Sequence, residues 1–278
     1  MKHHSRSSRF PLVVTLFTMV FLYTPLLLVA VASFNHSKYG GTWTHFSWRW
    51  YQALFHERAI WEALGNSVFI ALVSTFFSTI LGTMSALALY RGKSKFKTIY
   101  YGLIQTPLVV PDILLGISML LLFVMTISLC GDWLYSWTGI KLELGMTTII
   151  IAHVTFSLSY VAMVVLERLN EFDNSLIEAA YDLGASATYT FWRVTIPQIL
   201  PGIIAGALFA FMLSFDDFVI TFFVKGAGDT TLPIYIQGVM RRGSPAIINA
   251  LSVVFLIVTF ILVFIAQKLL ANKPENQK

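Results

Sequence analysis

Six long, mainly apolar stretches divide this 278-residue chain, and each is long enough to cross a lipid bilayer as a helix. About 20 residues of α-helix span roughly 30 Å of hydrocarbon, and such a helix satisfies its own backbone hydrogen bonds. The stretches lie at about residues 10–34, 65–90, 99–129, 145–166, 201–224 and 246–267. Charged residues make up 12% of the chain, about half their usual share in soluble domains. These features predict an all-α, polytopic membrane protein with six transmembrane helices.

One helical membrane domain accounts for the whole sequence, because no internal repeat, low-complexity tract or second soluble segment is evident. Lys2, Arg6 and Arg9 precede the first stretch, as basic residues do in a secretory signal peptide. The apolar core that follows is about twice as long as the core of such a signal, which favours a retained membrane anchor. We therefore predict a single transmembrane domain over residues 1–278.

The distribution of basic residues indicates which side of the membrane each loop faces. All 19 Lys and Arg residues lie outside the apolar stretches, so the net charge of +5 reflects topology and predicts no nucleic-acid partner. These residues are more numerous in the amino-terminal segment, the second and fourth loops and the carboxyl-terminal tail than in the alternate loops. Since cytoplasmic loops carry the excess of basic residues, both termini and the loop at residues 167–200 are predicted to be cytoplasmic.

The long polar loop after the fourth stretch contains signals for two short helices. Ser175 followed by Glu178 can cap the start of the first helix, and Gly184 can adopt the left-handed conformation that ends it. Residues 188–194 can form the second helix, which Pro197 would stop. The sequence therefore predicts a helix–turn–helix unit at the cytoplasmic membrane surface.

The same loop carries a motif that resembles the EAA loop in the membrane subunits of ATP-binding-cassette (ABC) importers. The matching residues are Glu178, Ala179, Ala180, Gly184 and Pro197. The resemblance implies the type I ABC importer permease fold and a short cytoplasmic helix that docks into a cleft of a separate ATPase subunit. Small alanine side chains would let such a helix sit deep in the cleft, and glycine would allow a sharp reversal of the chain.

ATP chemistry is not expected in this chain. A phosphate-binding loop needs the pattern Gly-x-x-x-x-Gly-Lys-Ser/Thr, and Gly92, Lys93 and Ser94 supply only its end because Leu87 occupies the first glycine position. The single cysteine, Cys130, excludes a disulfide framework and a multi-cysteine metal site within one chain. We therefore predict that the chain is not an enzyme and holds no cofactor or metal, and that ATP and Mg are bound by the partner ATPase.

Further segments narrow the resemblance to the spermidine/putrescine permeases, specifically to the second of their two membrane subunits. These segments are residues 33–35, 49–51, 111–113, 213–220, 231–233 and 249–251. The likeness covers nearly the whole chain. It implies a polyamine importer in the inner membrane of a bacterium, with a second homologous permease, two ATPase subunits and an extracytoplasmic substrate-binding protein as partners.

Asp112, Asp216 and Asp217 interrupt apolar stretches, where ionisable side chains are costly and usually functional. A polyamine carries separated positive charges on methylene links, so its pathway needs carboxylates and aromatic faces. Adjacent helical residues point about 100° apart. One of Asp216 and Asp217 is therefore expected to face the pathway, while the other accepts a hydrogen bond from Ser214 or a neighbouring helix. A purely structural set, satisfied by backbone amides at broken helices, is the alternative interpretation.

Four other positions have either a functional or a structural interpretation. Trp50 matches an aromatic position that the family uses in substrate handling, and it could stack on a polyamine or meet the binding protein. The other aromatic residues of the first outer loop are interpreted as an interfacial belt. His153 is interpreted as a hydrogen-bonded helix contact and not as a ligand. Gly202 and Gly206 predict close packing of the fifth helix against a neighbour.

Other functions fit the sequence less well. Within the importer class, the alternative substrates are ferric iron, thiamine or a phosphonate, although three membrane carboxylates disfavour an anion. A proton-coupled secondary transporter could use the same aspartates as proton carriers, and the coupling-type loop argues against it. An intramembrane aspartyl protease would need Asp182 and Asp229 to share a proton, and the predicted topology places them on opposite faces of the membrane.

Overall fold

The computed structural model describes residues 9–39, 42–92, 96–139, 141–243 and 246–271. These residues are mainly helical, and their only β-type pairing is an isolated bridge between Asn35 and Phe46. The helices are α1 (Arg9–Ser33), α2 (Arg49–His56), α3 (Arg58–Arg91), α4 (Lys97–Val109), α5 (Asp112–Thr138), α6 (Met146–Asn170), α7 (Ser175–Asp182), α8 (Ala187–Thr190), α9 (Ile196–Asp216), α10 (Val219–Val224), α11 (Leu232–Arg241) and α12 (Ala246–Ala271). The prediction of an all-α protein is confirmed.

Long apolar helices occur where the sequence predicts membrane spans. Five of them are long and apolar enough to cross a membrane, namely Phe10–Ser33, Arg58–Arg91, Asp112–Trp133, Met146–Asn170 and Ala187–Asp216. A shorter apolar helical stretch, Ala246–Ile261, lies where the sixth span is predicted. The helices of the second and fifth spans begin well before the predicted starts, at Arg58 and Ala187, because polar and charged residues continue the helix outside the apolar core.

The third and fifth predicted spans each contain a helix break. Pro111 separates α4 from α5, because its ring and its missing N–H are incompatible with a helix interior. Val110, the residue before this proline, is accordingly extended, with a ψ angle of 131°. The other break follows Asp216, and the chain becomes helical again only at Val219. Each break therefore lies next to an aspartate that the sequence singles out.

Some predicted features lie outside the described residues. They are the basic residues Lys2 and Arg6, the residues Lys93 and Ser94 of the incomplete phosphate-loop pattern, and residues 272–278 of the tail. The described part of the chain falls into two compact units: unit 1 contains the residues up to Ile60 and those from Ile236 onward, and unit 2 contains Trp61–Tyr235. The sequence analysis predicts a single domain over residues 1–278, and this stays a prediction.

Unit 1 is organised around α12, which packs against both α1 and α2. Its small core contains the buried residues Trp50, Ala246 and Ala250. After α1, four aromatic rings lie against one another with centroid separations of 5.0–5.8 Å; they belong to Phe34, Phe46, Trp48 and Tyr51. Phe46 and Trp48 are largely exposed, consistent with the predicted interfacial belt.

Unit 2 is organised around α6, the helix with the largest set of buried side chains. α6 packs against α9 and α4, where Val161, Val165 and Ile199 lie in one apolar core. It also packs against α10, and there Ile149 and Ile220 belong to a second core. The buried His153 of α6 lies beside this second core, with its ring centre 5.3 Å from that of Phe156.

Three glycines allow α6 to approach its neighbours closely. A Cβ atom at Gly202 would lie 2.8 Å from Cβ of Arg168, and one at Gly206 would lie 3.3 Å from Cγ1 of Val161. The predicted close packing through Gly202 and Gly206 is therefore confirmed. Gly82 of α3, which the sequence did not single out, packs against the same face of α6 around Val161.

The substitution Gly82→Ala is expected to lower the free energy of unfolding by about 1–3 kcal/mol. Its Cβ would lie 2.7 Å from Cβ of Val161 and 2.9 Å from the carbonyl oxygen of Leu158, and a helix backbone cannot move aside easily. Thermal unfolding in detergent, followed by tryptophan fluorescence, measures the effect. Gly102→Ala is the matched control, because no atom lies within 4 Å of its added Cβ. Equal unfolding temperatures for the two variants would contradict the packing described above.

Candidate functional site

The three aspartates singled out by the sequence line one cavity of about 270 Å³ in unit 2. Asp112 is the first residue of α5, directly after the Pro111 break. Asp216 is the last residue of α9, and Asp217 lies in the break that follows. The wall also includes the aromatic side chains of Phe156, Tyr160 and Phe218. The cavity therefore combines carboxylates with apolar ring faces.

The carboxyl groups of Asp112 and Asp216 are open to the cavity. Both residues are exposed, and neither side chain has a hydrogen bond or ion pair in the described part of the chain. They come from two different helix ends, one at the start of α5 and one at the end of α9. Two such carboxylates can accept hydrogen bonds from a cationic ligand without breaking an existing interaction.

Asp217, in contrast, is bound within the protein. Its Oδ2 atom accepts hydrogen bonds from the backbone N–H of Thr221 at 2.7 Å and from the Thr221 hydroxyl at 2.8 Å. Its Oδ1 atom accepts from the backbone N–H of Ile220 at 3.3 Å. His153 Nε2 lies 3.3 Å from Oδ2, and only 9% of the Asp217 side chain is exposed. Asp217 thus holds the start of α10 against α6.

His153 connects this break to two other helices. Its Nε2 atom lies 3.0 Å from the Thr221 hydroxyl, and its Nδ1 atom lies 2.7 Å from the hydroxyl of Ser214 on α9. Ser214 in turn lies 2.8 Å from the hydroxyl of Ser74 on α3. The imidazole is 1% exposed. The interpretation of His153 as a hydrogen-bonded helix contact agrees with this geometry.

These contacts distinguish the adjacent aspartates, which the sequence left equivalent. Asp217 accepts hydrogen bonds from Thr221 and approaches His153, whereas Asp216 faces the cavity. Ser214, predicted as a pathway residue, is 4% exposed and bonds to His153 and Ser74 instead of lining the cavity. Sequence reasoning missed Thr221, although its position four residues after Asp217 is a helical spacing that could have indicated the contact. No sequence signal pointed to Ser74.

Trp50 belongs to unit 1 and is largely buried there, with 7% of its surface exposed. Its indole N–H donates to the backbone carbonyl of Asn35 at 2.8 Å. The guanidinium carbon of Arg49 lies 5.1 Å from the centre of its ring, so a cation of the protein itself already occupies this face. The predicted role of Trp50 in stacking a polyamine stays a prediction.

The polar loop forms the predicted helix–turn–helix, with a different cap at its start. α7 begins at Ser175, but the Ser175 side chain does not cap it as predicted. Asp173 takes that role, because its Oδ1 atom accepts the backbone N–H of Ser175 at 2.9 Å, and this bond lowers the pKa of the exposed carboxyl. Gly184 follows the helix with a φ angle of +81°, the left-handed conformation that the sequence predicts.

The sequence predicts that Pro197 stops the second helix of the loop, and this prediction is wrong. Ser186 caps α8 by accepting the backbone N–H of Tyr189 at 3.3 Å. A π-helical turn, Phe191–Thr195, then joins α8 to α9, and its backbone bond from Ile196 to Phe191 spans five residues. Pro197 lies directly after this π-helical turn, in the first turn of α9. The helix therefore continues through the proline.

The loop presents an open surface at its turn. α7 contains no buried residue, and both Glu178 and Ala179 are exposed. A shallow cavity of about 670 Å³ beside the turn is lined by residues that include Ala180 and Gly184. Leu183, at the centre of this surface, is 89% exposed. Tyr189, which lines the same cavity, is also exposed, and a contiguous exposed apolar patch is typical of a surface that contacts another protein.

Metal-binding groups were a further possibility for the described residues. No group of three or more His, Cys, Asp or Glu side chains in that part of the chain is placed to hold a metal ion. The free cysteine, Cys130, is exposed on α5.

The fold and the site define a helical membrane transport protein, with a charged cavity between broken helices and an exposed helix–turn–helix loop. Residues 78–275 match the model of the family described as binding-protein-dependent transport system inner membrane component. The chain belongs to this family. It is therefore a multi-pass inner-membrane permease subunit of a transport system.

Sequence comparison also places the chain close to named relatives. It is 42% identical to the putrescine transport system permease protein PotI of Escherichia coli K12 over 268 residues, covering 96% of this chain and 92% of the relative. It is 34% identical to the spermidine/putrescine transport system permease protein PotC of Haemophilus influenzae, covering 89% and 91%. The resemblance to the spermidine/putrescine permeases is thereby confirmed.

The fold matches solved ABC transporters. A bacterial ABC transporter involved in the import of the acidic polysaccharide alginate superposes with a TM-score of 0.72 at 16% identity, covering 96% of this chain and 95% of the other. The MetNI methionine ABC transporter superposes with a TM-score of 0.58 at 19% identity, covering 81% and 97%. At these identities the likeness concerns the fold alone, and it confirms the predicted type I ABC importer permease fold.

Proposed function

We propose that this chain is the second permease subunit of an ABC importer that carries polyamines across the inner membrane. The observation that carries the proposal is the cavity in which the exposed carboxylates of Asp112 and Asp216 lie beside aromatic rings. Ammonium groups can pair with the carboxylates, and methylene links can lie on the ring faces of Phe156, Tyr160 and Phe218. The names of the PotI and PotC relatives support the same substrate class.

The proposed transporter contains a second homologous permease, two ATPase subunits and an extracytoplasmic binding protein that delivers the substrate. Both termini and α7 face the cytoplasm, where α7 and its turn dock into the ATPase through Glu178, Ala179, Ala180, Gly184 and the helix that passes Pro197. ATP and Mg are bound by the ATPase, and this chain performs no hydrolysis. Closure of the ATPase dimer opens the cavity outward, and hydrolysis returns it inward by alternating access.

The substitutions Asp112→Asn and Asp216→Asn are each expected to raise the KM for putrescine uptake by about tenfold to hundredfold. Each removes one charge-assisted hydrogen bond to the cation, which is worth about 1.5–3 kcal/mol, and 1.4 kcal/mol corresponds to a factor of ten. Radiolabelled uptake by the assembled transporter in vesicles gives the KM. Spermidine, measured in parallel, shows whether the change depends on the length of the polyamine.

Asp132→Asn is the matched control for this measurement. Asp132 is also an exposed aspartate of α5, but it lines a separate cavity together with Tyr135 and Lys141. Its substitution should leave the KM unchanged. An unchanged KM in Asp112→Asn, Asp216→Asn and the double variant would overturn the proposed role of the cavity.

The driving force separates the proposal from a proton-coupled secondary transporter. Uptake should stop when the partner ATPase carries a substitution that abolishes hydrolysis, and it should persist in the presence of an uncoupler when ATP is supplied. Uptake that only an uncoupler abolishes would refute the importer and favour proton coupling. Competition by ferric iron, thiamine or a phosphonate at concentrations that exclude putrescine would instead identify another substrate.

A further inference from the structure

A chain of short polar contacts crosses the buried part of unit 2. The Ser74 hydroxyl on α3 lies 2.7 Å from the carbonyl oxygen of Ile70 and 2.8 Å from the hydroxyl of Ser214 on α9. The Ser214 hydroxyl lies 2.7 Å from Nδ1 of His153 on α6. On the other side of the imidazole, Nε2 lies 3.0 Å from the hydroxyl of Thr221 on α10. All four side chains are buried.

The direction of each bond follows from the rule that a short contact between two polar atoms contains one proton. A carbonyl oxygen can only accept, so the Ser74 hydroxyl donates to Ile70. Ser74 must then accept the proton of Ser214. Since Ser214 has no second proton, it must accept from Nδ1 of His153. The Nδ1 atom of His153 therefore carries a proton.

The same rule applies on the other side of the ring. The Thr221 hydroxyl donates to Oδ2 of Asp217 at 2.8 Å, so it must accept from Nε2 of His153. Asp217 also receives backbone N–H groups from Thr221 at 2.7 Å and from Ile220 at 3.3 Å, and it therefore acts as an acceptor on both oxygens. This is the bonding pattern of an ionised carboxylate. Both ring nitrogens of His153 thus carry protons.

We propose that His153 is a buried imidazolium that forms an ion pair with Asp217 and acts as a positioning residue for Asp216. Nε2 of His153 lies 3.3 Å from Oδ2 of Asp217. The ring of Phe156 makes a T-shaped contact with the imidazole, with the ring centres 5.3 Å apart and an angle of 63° between the planes. The pair fixes the chain on both sides of the break after α9, and so fixes where the adjacent Asp216 carboxylate projects.

The ion pair also sets the charge of the cavity. Its charged groups in the described residues are Asp112, Asp216 and Asp217, and the imidazolium of His153 compensates the last of these. This chain consequently contributes two negative charges to the cavity, not three. The consequence for transport rests on the proposed function, whereas the protonation state of His153 does not.

Nitrogen NMR of the assembled transporter in lipid nanodiscs tests the protonation state directly. The histidines are labelled at both ring nitrogens, and the signals absent from His153→Gln identify those of His153. We expect both ring nitrogens of His153 to carry a proton in the spectrum of the unsubstituted transporter, recorded at a mildly alkaline pH. A singly protonated His153 ring in that spectrum would overturn the proposal.

Two aspartate variants test the identity of the partner charge. Asp217→Asn should remove one proton from the His153 ring, while Asp216→Asn should leave both in place. Should Asp217→Asn fail to assemble, the spectrum of the unsubstituted transporter and of Asp216→Asn still decides the protonation state. Loss of a ring proton in Asp216→Asn would overturn the assignment of Asp217 as the partner.

Uptake kinetics test the positioning role. His153→Gln should raise the KM for putrescine by about tenfold, in the same direction as Asp216→Asn, because the carboxylate next to the break loses its position. The positioning role would be overturned by the following combination of results. The His153 ring is doubly protonated in the unsubstituted transporter and Asp216→Asn alters the KM, but His153→Gln leaves the KM unchanged. Unchanged KM values in both variants would instead count against the proposed function of the cavity.

Discussion

Replacing Asp217 by alanine is expected to lower the free energy of unfolding by about 3–5 kcal/mol, the usual cost of removing one partner from a buried ion pair. The change leaves His153 without its counter-charge in a position where the imidazole is 1% exposed. It also leaves the backbone N–H groups of Ile220 and Thr221 without their acceptor. Hydrogen bonds between membrane helices average only about 0.6 kcal/mol, so the loss of the ion pair, with which His153 also gives up its second ring proton, accounts for most of the destabilisation.

Asp216→Ala is the matched control, because it removes the same carboxylate one residue earlier in the chain. Asp216 is exposed to the cavity, and surface substitutions usually change stability by less than about 0.5 kcal/mol. Thermal unfolding in detergent should therefore separate the two variants clearly, while uptake should be impaired in both. Similar unfolding temperatures for Asp217→Ala and the unsubstituted protein would contradict the buried pair.

The helices of this protein were predictable because the bilayer restricts the choice of structure. Hydrocarbon cannot satisfy backbone polar groups, so long apolar runs must be helical, and their positions follow from hydropathy. The ends and interruptions were harder to place, since they depend on neighbouring helices. Pro111 broke its span as a proline should, whereas Pro197 did not stop its helix because a π-helical turn precedes it.

The candidate site was only partly predictable for a related reason. An aspartate within an apolar run is conspicuous in any sequence, so Asp112, Asp216 and Asp217 could be found without a structure. The different environments of Asp216 and Asp217 could not be found, because they depend on His153, a residue of another helix. Ser214 was assigned to the pathway from its neighbours in sequence, yet its hydroxyl bonds inside the core.

Replacing Leu183 by aspartate is expected to abolish uptake without destabilising the permease itself. Leu183 is 89% exposed, at the turn between α7 and α8, so its substitution removes no internal packing. If the turn docks into the ATPase, a charge there should weaken the complex by at least about 2 kcal/mol, as at other interface hot spots. This loss is roughly thirtyfold in affinity. Co-purification of the ATPase with tagged permease, together with uptake, measures it.

The control for this prediction is Glu143→Lys, which changes an exposed charge before α6, on the membrane face that the predicted topology places opposite to Leu183. The Glu143 side chain is 68% exposed and pairs with Lys141, whose side chain is 76% exposed, in a contact worth little in water. ATPase binding should therefore survive in this variant.

Because Gly184 holds a φ angle of +81°, Gly184→Ala should give a milder form of the Leu183→Asp defect by straining the same turn. Full ATPase binding and uptake in Leu183→Asp would exclude this turn as the coupling surface.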